Sequence, residues 1–566
     1  MVHTTRSINL LHKKRHVVFL FLLFILTLQL YSVETVSKDI PYSISSYNFT
    51  IDGSTKEGVL RKALFSADDK HIFKTEEEMI TYLDQKKQFL INMRFFSVAS
   101  YTYTIDPMQT QNTSYIVNFY IEDASTFLIL PYPKFDNDTM GLRLGVKMFE
   151  KNLFGTFADL EFVGHISQGE GGVAGWENRE DFIALDISSL PIGTTELDFS
   201  IDYSQKKNSS SNGEFDINGS WNNITLFKSK LSISSWADFS PSSDFSMWNV
   251  EEYGLSWNIG PFRLNGELAS LSNTLKVHTN KSKFYTYTRL KSSRVKFLFI
   301  PVDFSLSAET DMDIESREFY YFNGGATIES SYNLPFKFKW TPSAGAFIHI
   351  KPTFSSLAYS YLFENTFTKS SINWNGNFRK GLAASFTHTV EEYPQADYED
   401  LSYWKIETRA TWFPFYTKNF NPSFQFTGLF TDPDHGKKFD FYESAANNLR
   451  GIWSRTIENL GLNDDLTMAT MYNVNLSMNF INFGFAKSYI SPFFDLGIFK
   501  DPTNDDELLV LTTAGVEGYA IINKYPSYPI RGSLGFNLSD IKRVINDEIS
   551  ITDIEFELSI GMGLFF

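Results

Sequence analysis

The long polar segment 431–466 carries the stretch NNLRGIWS (447–454), which sets Arg450 and Gly451 between Leu449 and Ile452, with Trp453 following. A segment of that length without secondary structure of its own is functional or disordered. Its arginine presents a planar fork of donors that fits a carboxylate in bidentate fashion. Nine histidines invite a hydrolase reading. His165 lies in a strand and His388 lies near Ser385, yet no Gly-x-Ser-x-Gly elbow accompanies either. Ordinary strand and loop residues, and no enzyme, are expected. GEGGVAG (169–175) mimics a dinucleotide loop without the strand-to-helix setting that gives such a loop its mechanics. DPTNDDE (501–507) lacks the glycine and the spaced glutamate of a calcium loop and reads as a solvated turn. No cysteine is present, which excludes disulfides, thiolate metal sites, cysteine nucleophiles and a lipid on an N-terminal cysteine. No cofactor or metal is expected. A net charge of −16 argues against a nucleic-acid partner, because phosphate binding needs a basic footprint.

The elements that would position these residues are mostly strands. Phe 55, Tyr 28 and Trp 10 in 566 residues, at a mean hydropathy of −0.20, suit strands with one apolar face rather than a bundle of membrane helices. The N-terminus reads as an export signal over 1–32. A basic start precedes the fourteen-residue apolar run VVFLFLLFILTLQL (17–30), short for a spanning helix and right for a signal core. Residues 46–123 read as a small β-α-α-β-β domain. YNFTIDG is a strand ending in Gly53. KEGVLRKALF is a helix with Val59, Leu60, Ala63 and Leu64 at helical spacing. TEEEMITYLDQKKQFLIN is a second helix, opened by a Thr75/Glu78 capping box. Two strands follow, and LPYPKFDND sits in a linker over 124–139.

From 140 to 566 helical periodicity gives way to alternation. MYNVNLSMNF sets Tyr472, Val474, Leu476, Met478 and Phe480 against Asn473, Asn475, Ser477 and Asn479. The last strand sets Ile554, Phe556, Leu558, Ile560, Met562, Leu564 and Phe566 against Glu555, Glu557, Ser559, Gly561 and Gly563. Runs of ten or more residues, with short turns alternating with long loops near 205–223 and 431–466, predict a transmembrane antiparallel β-barrel of roughly sixteen strands.

At this point the sequence resembles the outer-membrane assembly-factor superfamily, whose members include BamA, TamA and the two-partner-secretion transporters. More narrowly it looks like a bacterial surface antigen barrel with a single POTRA domain. The module resembles a POTRA domain through Gly53 and through LINMRFFSVASYTYTI, where Leu90, Asn92, Phe96 and Val98 match. KNLFGT (151–156) resembles the family's turn between the first two barrel strands. Leu449, Arg450, Gly451 and Ile452 resemble the motif on a loop that folds back into the lumen, with the last position lacking its aromatic ring. Phe493, Asp495 and Gly497 resemble the strand that receives that loop. Alternation supports this pairing: Phe494, Leu496 and Ile498 share one face, so Asp495 points to the lumen. Only one POTRA module fits, where BamA and TamA have several.

The resemblance implies insertion or translocation of β-barrel or secreted proteins from the outer membrane of a diderm bacterium. The POTRA domain would be periplasmic and the long loops extracellular. Implied partners are the lipid bilayer, unfolded substrate proteins and accessory periplasmic or lipoprotein subunits. The barrel seam is expected between a first strand holding Gly141, Leu142 and Leu144 and a last strand holding Gly561, Gly563 and Phe566. Glycine loosens strands, and an opened seam offers unpaired N–H and C=O groups to an incoming strand. The alternatives are a passive channel or adhesin on the same barrel, a two-partner-secretion-type transporter, and a lipid-acting enzyme.

Overall fold

A computed structural model describes residues 42–65, 72–107, 113–131, 134–136, 141–167, 180–206, 213–226, 228–241, 248–264, 267–279, 283–297, 300–313, 319–350, 357–432, 449–451, 466–500, 508–546, 548–550, 554, 556–562 and 564. The signal segment 1–32, most of the loop 431–466 including Ile452, and the terminal Gly563 and Phe566 lie outside them. So do GEGGVAG and DPTNDDE.

Four strands, β1 (Tyr42–Asp52), β2 (Ile72–Phe73), β3 (Phe96–Ile105) and β4 (Thr113–Asp123), form a sheet in the order β2-β1-β4-β3. Helices α1 (Glu57–Leu64) and α2 (Glu76–Met93) fall between β1 and β3 in the chain. At the start of α2 the Glu78 amide donates to Thr75 Oγ1 over 3.1 Å. Glu78 Oε2 reaches back to the Lys74 amide over 2.8 Å, so the capping residues satisfy two orphan donors.

The chain divides into two compact units. One holds Met1–Asn48, Asp68–Leu83 and Thr102–Val117; the other holds Phe49–Ala67, Asp84–Tyr101 and Asn118–Phe566. In the smaller unit Ile44, Phe73, Met79, Leu83 and Val117 are buried. In the larger, Leu60, Leu64, Leu90, Phe119 and Ile121 are buried. The residues expected as one module therefore split, and their root clusters with the long run of strands.

That run is a closed antiparallel barrel. Its strands are β5 (Phe127–Pro131), β6 (Lys134–Asp136), β7 (Gly141–Leu153), β8 (Ala158–Ser167), β9 (Glu180–Ile192), β10 (Thr195–Lys206), β11 (Gly213–Leu226) and β12 (Ser229–Pro241). Next come β13 (Trp248–Leu264), β14 (Glu267–His278), β15 (Lys283–Phe297), β16 (Ile300–Asp313), β17 (Phe319–Glu329), β18 (Tyr332–Asn333), β19 (Lys339–Ile350) and β20 (Ala358–Ser370). The last are β21 (Asn373–Asn375), β22 (Phe378–Glu392), β23 (Tyr403–Phe413), β24 (Phe420–Thr431), β25 (Met468–Asn482), β26 (Ala486–Lys500), β27 (Leu508–Ile522), β28 (Ile530–Asn537) and β29 (Phe556–Met562). Helix α3 (Leu538–Ile545) sits between the final two. β5 with β6, β17 with β18, and β20 with β21 each lie end to end against one neighbour, so the described strands make twenty-two staves.

Several expectations are corrected. The barrel has more staves than the roughly sixteen read from alternation. Part of the excess lies where polar residues disguise a strand. The loop expected near 205–223 is largely β11, in which Phe215, Ile217 and Trp221 alternate with Asp216, Asn218, Ser220 and Asn222. The linker 124–139 holds β5 and β6, both paired to β7. Pro131 and Pro133 suggested a linker, but proline is admitted at a strand end. The sheet order sets β29 beside β5. Gly141, Leu142 and Leu144 therefore lie on β7, one stave in from the seam, and KNLFGT joins the second and third staves.

Polarity is inverted relative to a water-soluble barrel. On β25, Tyr472 and Leu476 are outward and exposed, whereas Asn473 and Asn475 are buried in the interior. On β29, Phe556, Leu558 and Ile560 are exposed in the same way. An apolar outer wall around a polar interior is the pattern of a barrel solvated by lipid.

Candidate functional site

Within the long loop, Leu449, Arg450 and Gly451 are all buried. β26 presents their counterparts. Its alternation is strict from Phe493 to Phe499, with Phe493, Asp495, Gly497 and Phe499 buried and Phe494 exposed. Asp495 is fully buried. It accepts from Arg450 Nε over 2.9 Å, from Arg450 Nη2 over 2.7 Å and from the Arg450 backbone N–H over 3.0 Å. The guanidinium stands 3.8 Å from the Phe493 ring centroid, so the cation is held by a carboxylate fork and an aromatic face together. Leu449 packs with Leu466, Ala469, Met471, Phe499 and Leu511. A Cβ at Gly497 would stand 2.8 Å from Leu449 Cδ1, so glycine leaves the leucine its seat.

Gly451 has φ +81°, a left-handed conformation that glycine adopts without strain. Its backbone touches β28: a Cβ at Gly535 would lie 2.7 Å from Gly451 Cα. The Gly451 amide donates to Glu557 Oε2 over 2.6 Å. The loop is thus bonded to β26, pressed on β28 and bonded to β29. Glu517 on β27 completes the cluster, 3.9 Å from Arg450 Nη1 and 3.3 Å from Arg531 Nη1.

Glu517, Arg531 and Glu557 were not singled out in the sequence. The signal for Glu557 was its inward register on the last strand. Glu517 shares strand parity with the buried Thr513, but a lone acid in a strand names no partner. Of the seam residues, Leu144 is exposed on β7 and Gly561 pairs in register with Arg531. Leu564, expected on the outward face with Leu558 and Ile560, instead packs against Phe378, Tyr489, Tyr519 and Ile521. Tyr489 and Tyr519 are buried, so the alternation breaks after Met562.

A second set of contacts lies within the larger unit, where the roots of α1, α2 and β4 meet strand turns. Gly53 has φ +148°, and a Cβ there would strike the Asp123 carboxylate at 2.3 Å. That carboxylate accepts from the amides of Ser54 and Thr55 over 2.7 and 2.8 Å. Asn152 Nδ2 donates to Thr55 Oγ1 over 2.8 Å, and the Lys56 amide to the Gly155 carbonyl over 2.9 Å. KNLFGT is therefore a docking turn. Gly155 has φ +71°, and a Cβ there would lie 1.8 Å from the Ser54 carbonyl oxygen.

Leu90 is fully buried and Phe96 nearly so, its ring 6.0 Å from that of Phe157. Asn92 donates to Asn373 Oδ1 over 3.0 Å and accepts from the Trp374 amide over 3.0 Å. Val98 is exposed on β3, on the sheet edge rather than in the core. Arg94, which follows α2, was missed. It donates to the Pro526 carbonyl over 2.9 Å, to the Gly376 carbonyl over 2.7 Å and to Asn377 Oδ1 over 3.1 Å. Its guanidinium also stacks on Trp374 at 4.3 Å. Burial pushes its pKa down to about 10, so the cation persists at neutral pH.

In the register His165 lies opposite Gly145 and Phe182, and His388 opposite Asn365 and Ile406. A different histidine, His349 on β19, lies between Asn323 Oδ1 at 2.9 Å and Ser360 Oγ at 2.8 Å. Ser360 is fully buried. Register across three strands, not sequence spacing, brings these residues together.

No family model matches the chain, and no curated protein matches it. Solved structures similar to it include BamA from Haemophilus ducreyi lacking POTRA domains 1–3, at 9% identity over 94% of this chain and 86% of that one, with a TM-score of 0.29. CdiB from Escherichia coli is 9% identical over 92% of this chain and 75% of that one, with a TM-score of 0.33. The FrpB iron transporter from Neisseria meningitidis is 10% identical over 78% of this chain and 84% of that one, with a TM-score of 0.42.

Proposed function

We propose that the chain is an outer-membrane β-barrel protein of a diderm bacterium that inserts or translocates other β-barrel or secreted proteins. In this reading the α/β module is a periplasmic POTRA domain and the long loop enters the lumen from outside. The observation that carries it is the lock: Arg450 and Gly451 tie the loop to Asp495 on β26 and to Glu557 on the last strand. A barrel that served only as a wall has no need of a loop bonded to its closing strand. The substrate would meet the β29–β5 seam, where strand edges template strand addition. No step needs an enzyme, a metal or a cofactor. Accessory periplasmic or lipoprotein subunits would dock on the module.

The test is reconstitution. The full chain is placed in liposomes, an unfolded small β-barrel is added with its periplasmic chaperone, and folding is followed by heat-modifiable gel mobility. Folding faster than in empty liposomes, and lost on deletion of 46–123, is expected. No acceleration in the presence of a correctly folded barrel would count against the reading. A second reading, a passive channel, is favoured by one observation, the width of a barrel whose described strands surround a polar interior, since diameter grows with strand number. It predicts steady conductance across a planar bilayer that survives the same deletion.

A further inference from the structure

The outer wall of the strands flanking the long loop carries a dent of about 330 Å³ across β22 to β25. Side-chain size in register makes it. One row across these strands reads Leu382, Trp412, Phe424 and Val474. The next reads Ala384, Ala410, Phe426 and Tyr472. The Trp412 and Phe424 rings lie 5.7 Å apart, and those of Phe426 and Tyr472 lie 4.9 Å apart. These two ring pairs form banks. Ala410, opposite Phe426 in register, forms the floor. Trp412 is half exposed and Tyr472 nearly so, a large aromatic area for any wall to leave bare. The polar residues at the site, Gln425 and Asn473, are buried on the other side of the sheet.

We propose that this dent retains one acyl chain of a bilayer phospholipid. The inference rests on the membrane reading above and adds a specific lipid site to it. Three observations fit that occupant. The dent is continuous with the apolar outer wall, since Leu476 and Phe494 beside it are also exposed, so whatever solvates the wall covers the dent. Beyond it, at the short-turn end of the same strands, Phe415, Phe480, Phe483 and Phe485 are exposed, the aromatic grouping that marks a membrane–water interface. Lys418, also exposed, sits in the turn between β23 and β24. Phe424 is four residues up the strand from Phe420, roughly 13 Å at the usual strand rise. A headgroup at the lysine would therefore send its chain along the banks. The dent also lies back to back with the lock, because Asn473 pairs in register with Asp495. Lipid on the outside thus packs the same strands that hold the loop on the inside.

The full chain, purified in mild detergent from phosphatidylethanolamine–phosphatidylglycerol vesicles, is examined by native mass spectrometry. One phospholipid per chain should survive activation that strips the remainder. Ala410→Phe raises the floor and should lower the retained fraction about tenfold, the loss expected when two methylenes are displaced. Val516→Phe, outward on β27, should change nothing. Retention unaltered by Ala410→Phe, or a retained mass that is detergent, overturns the site. The membrane reading is checked separately by quenching with brominated phospholipids, comparing wild type with Trp412→Phe. Trp412 emission untouched by brominated lipid overturns that reading and the site with it. Quenched emission with retention indifferent to Ala410→Phe overturns the site alone.

Discussion

Asp495→Asn removes a charge and keeps a shape, so it isolates what the lock contributes. The carboxylate accepts three bonds from Arg450, two from the guanidinium and one from the backbone. An amide keeps one acceptor oxygen and turns an NH₂ toward a donor, so at least one bond is lost and one contact becomes repulsive. Removing one partner of a buried ion pair costs about 3–5 kcal/mol. Glu517, 3.9 Å from Nη1, takes up part of the orphaned charge, which favours the lower end. About 3 kcal/mol is roughly a hundredfold in the ratio of seated to released loop. Trypsin reads that ratio directly, because the Arg450–Gly451 bond is a tryptic site whose residues are buried when seated. Cleavage through a fast opening follows the open population. In folded, heat-modifiable barrels, Asp495→Asn should be cut between 450 and 451 about a hundred times faster than wild type, with fragments identified by mass. Glu517→Gln alone should change the rate far less, and the double substitution should exceed the product of the two effects. A wild-type rate in Asp495→Asn would refute the claim that this pair holds the loop.

Gly451→Ala places a Cβ 2.8 Å from the Gly535 carbonyl carbon at φ +81°, and should release the loop in the same cleavage assay. Gly155→Ala sets a Cβ 1.8 Å from the Ser54 carbonyl oxygen, and should speed hydrogen exchange at the Lys56 amide, which donates to Gly155. An unchanged exchange rate would remove the docking role of that turn. Arg94→Ala loses bonds to Pro526, Gly376 and Asn377 at about 1 kcal/mol or more each. It should lower the urea midpoint of the larger unit, with partial recovery in Arg94→Lys. A serine-reactive fluorophosphonate should leave the protein unlabelled, and labelling at Ser360 would overturn the reading without enzymatic chemistry.

How much of this was legible in the sequence follows from which interactions are local. Alternation is local, so β25, β26 and β29 were readable in outline, and with them the inward face of Asp495. The lock was readable because 449–452 and the strand holding Phe493, Asp495 and Gly497 resemble two motifs of one family, and the clean period two of that strand turned Asp495 inward. β11 was hidden because polar residues such as Ser220 and Asn222, which hydrogen-bond Asp198 on β10, make a strand look like a polar loop. Arg94 was hidden for another reason. Its partners are turn carbonyls more than two hundred residues away, and carbonyls leave no mark on sequence. β5 was misread because proline is a strong local signal that a strand end can absorb.

The last strand shows why the lock bears on the proposed function. Among the described residues β29 runs over seven, Phe556–Met562, against fifteen for each of β25, β26 and β27. Near its start Glu557 accepts from Gly451, and beyond its end Leu564 packs on Tyr489 and Tyr519 of β26 and β27. Both anchors draw the strand toward the interior cluster. A short ladder supplies few hydrogen bonds, each with a net value near 1 kcal/mol. The position of β29 therefore depends on the seated loop as well as on its neighbours. Unseating the loop frees Glu557 and removes one of the two anchors, which shifts the closing strand toward release. If barrel insertion proceeds at this seam, loop release and substrate engagement are coupled. An unfolded β-barrel substrate should then raise cleavage at 450–451 in the wild type, and the increase should shrink in Asp495→Asn, where the loop is already released.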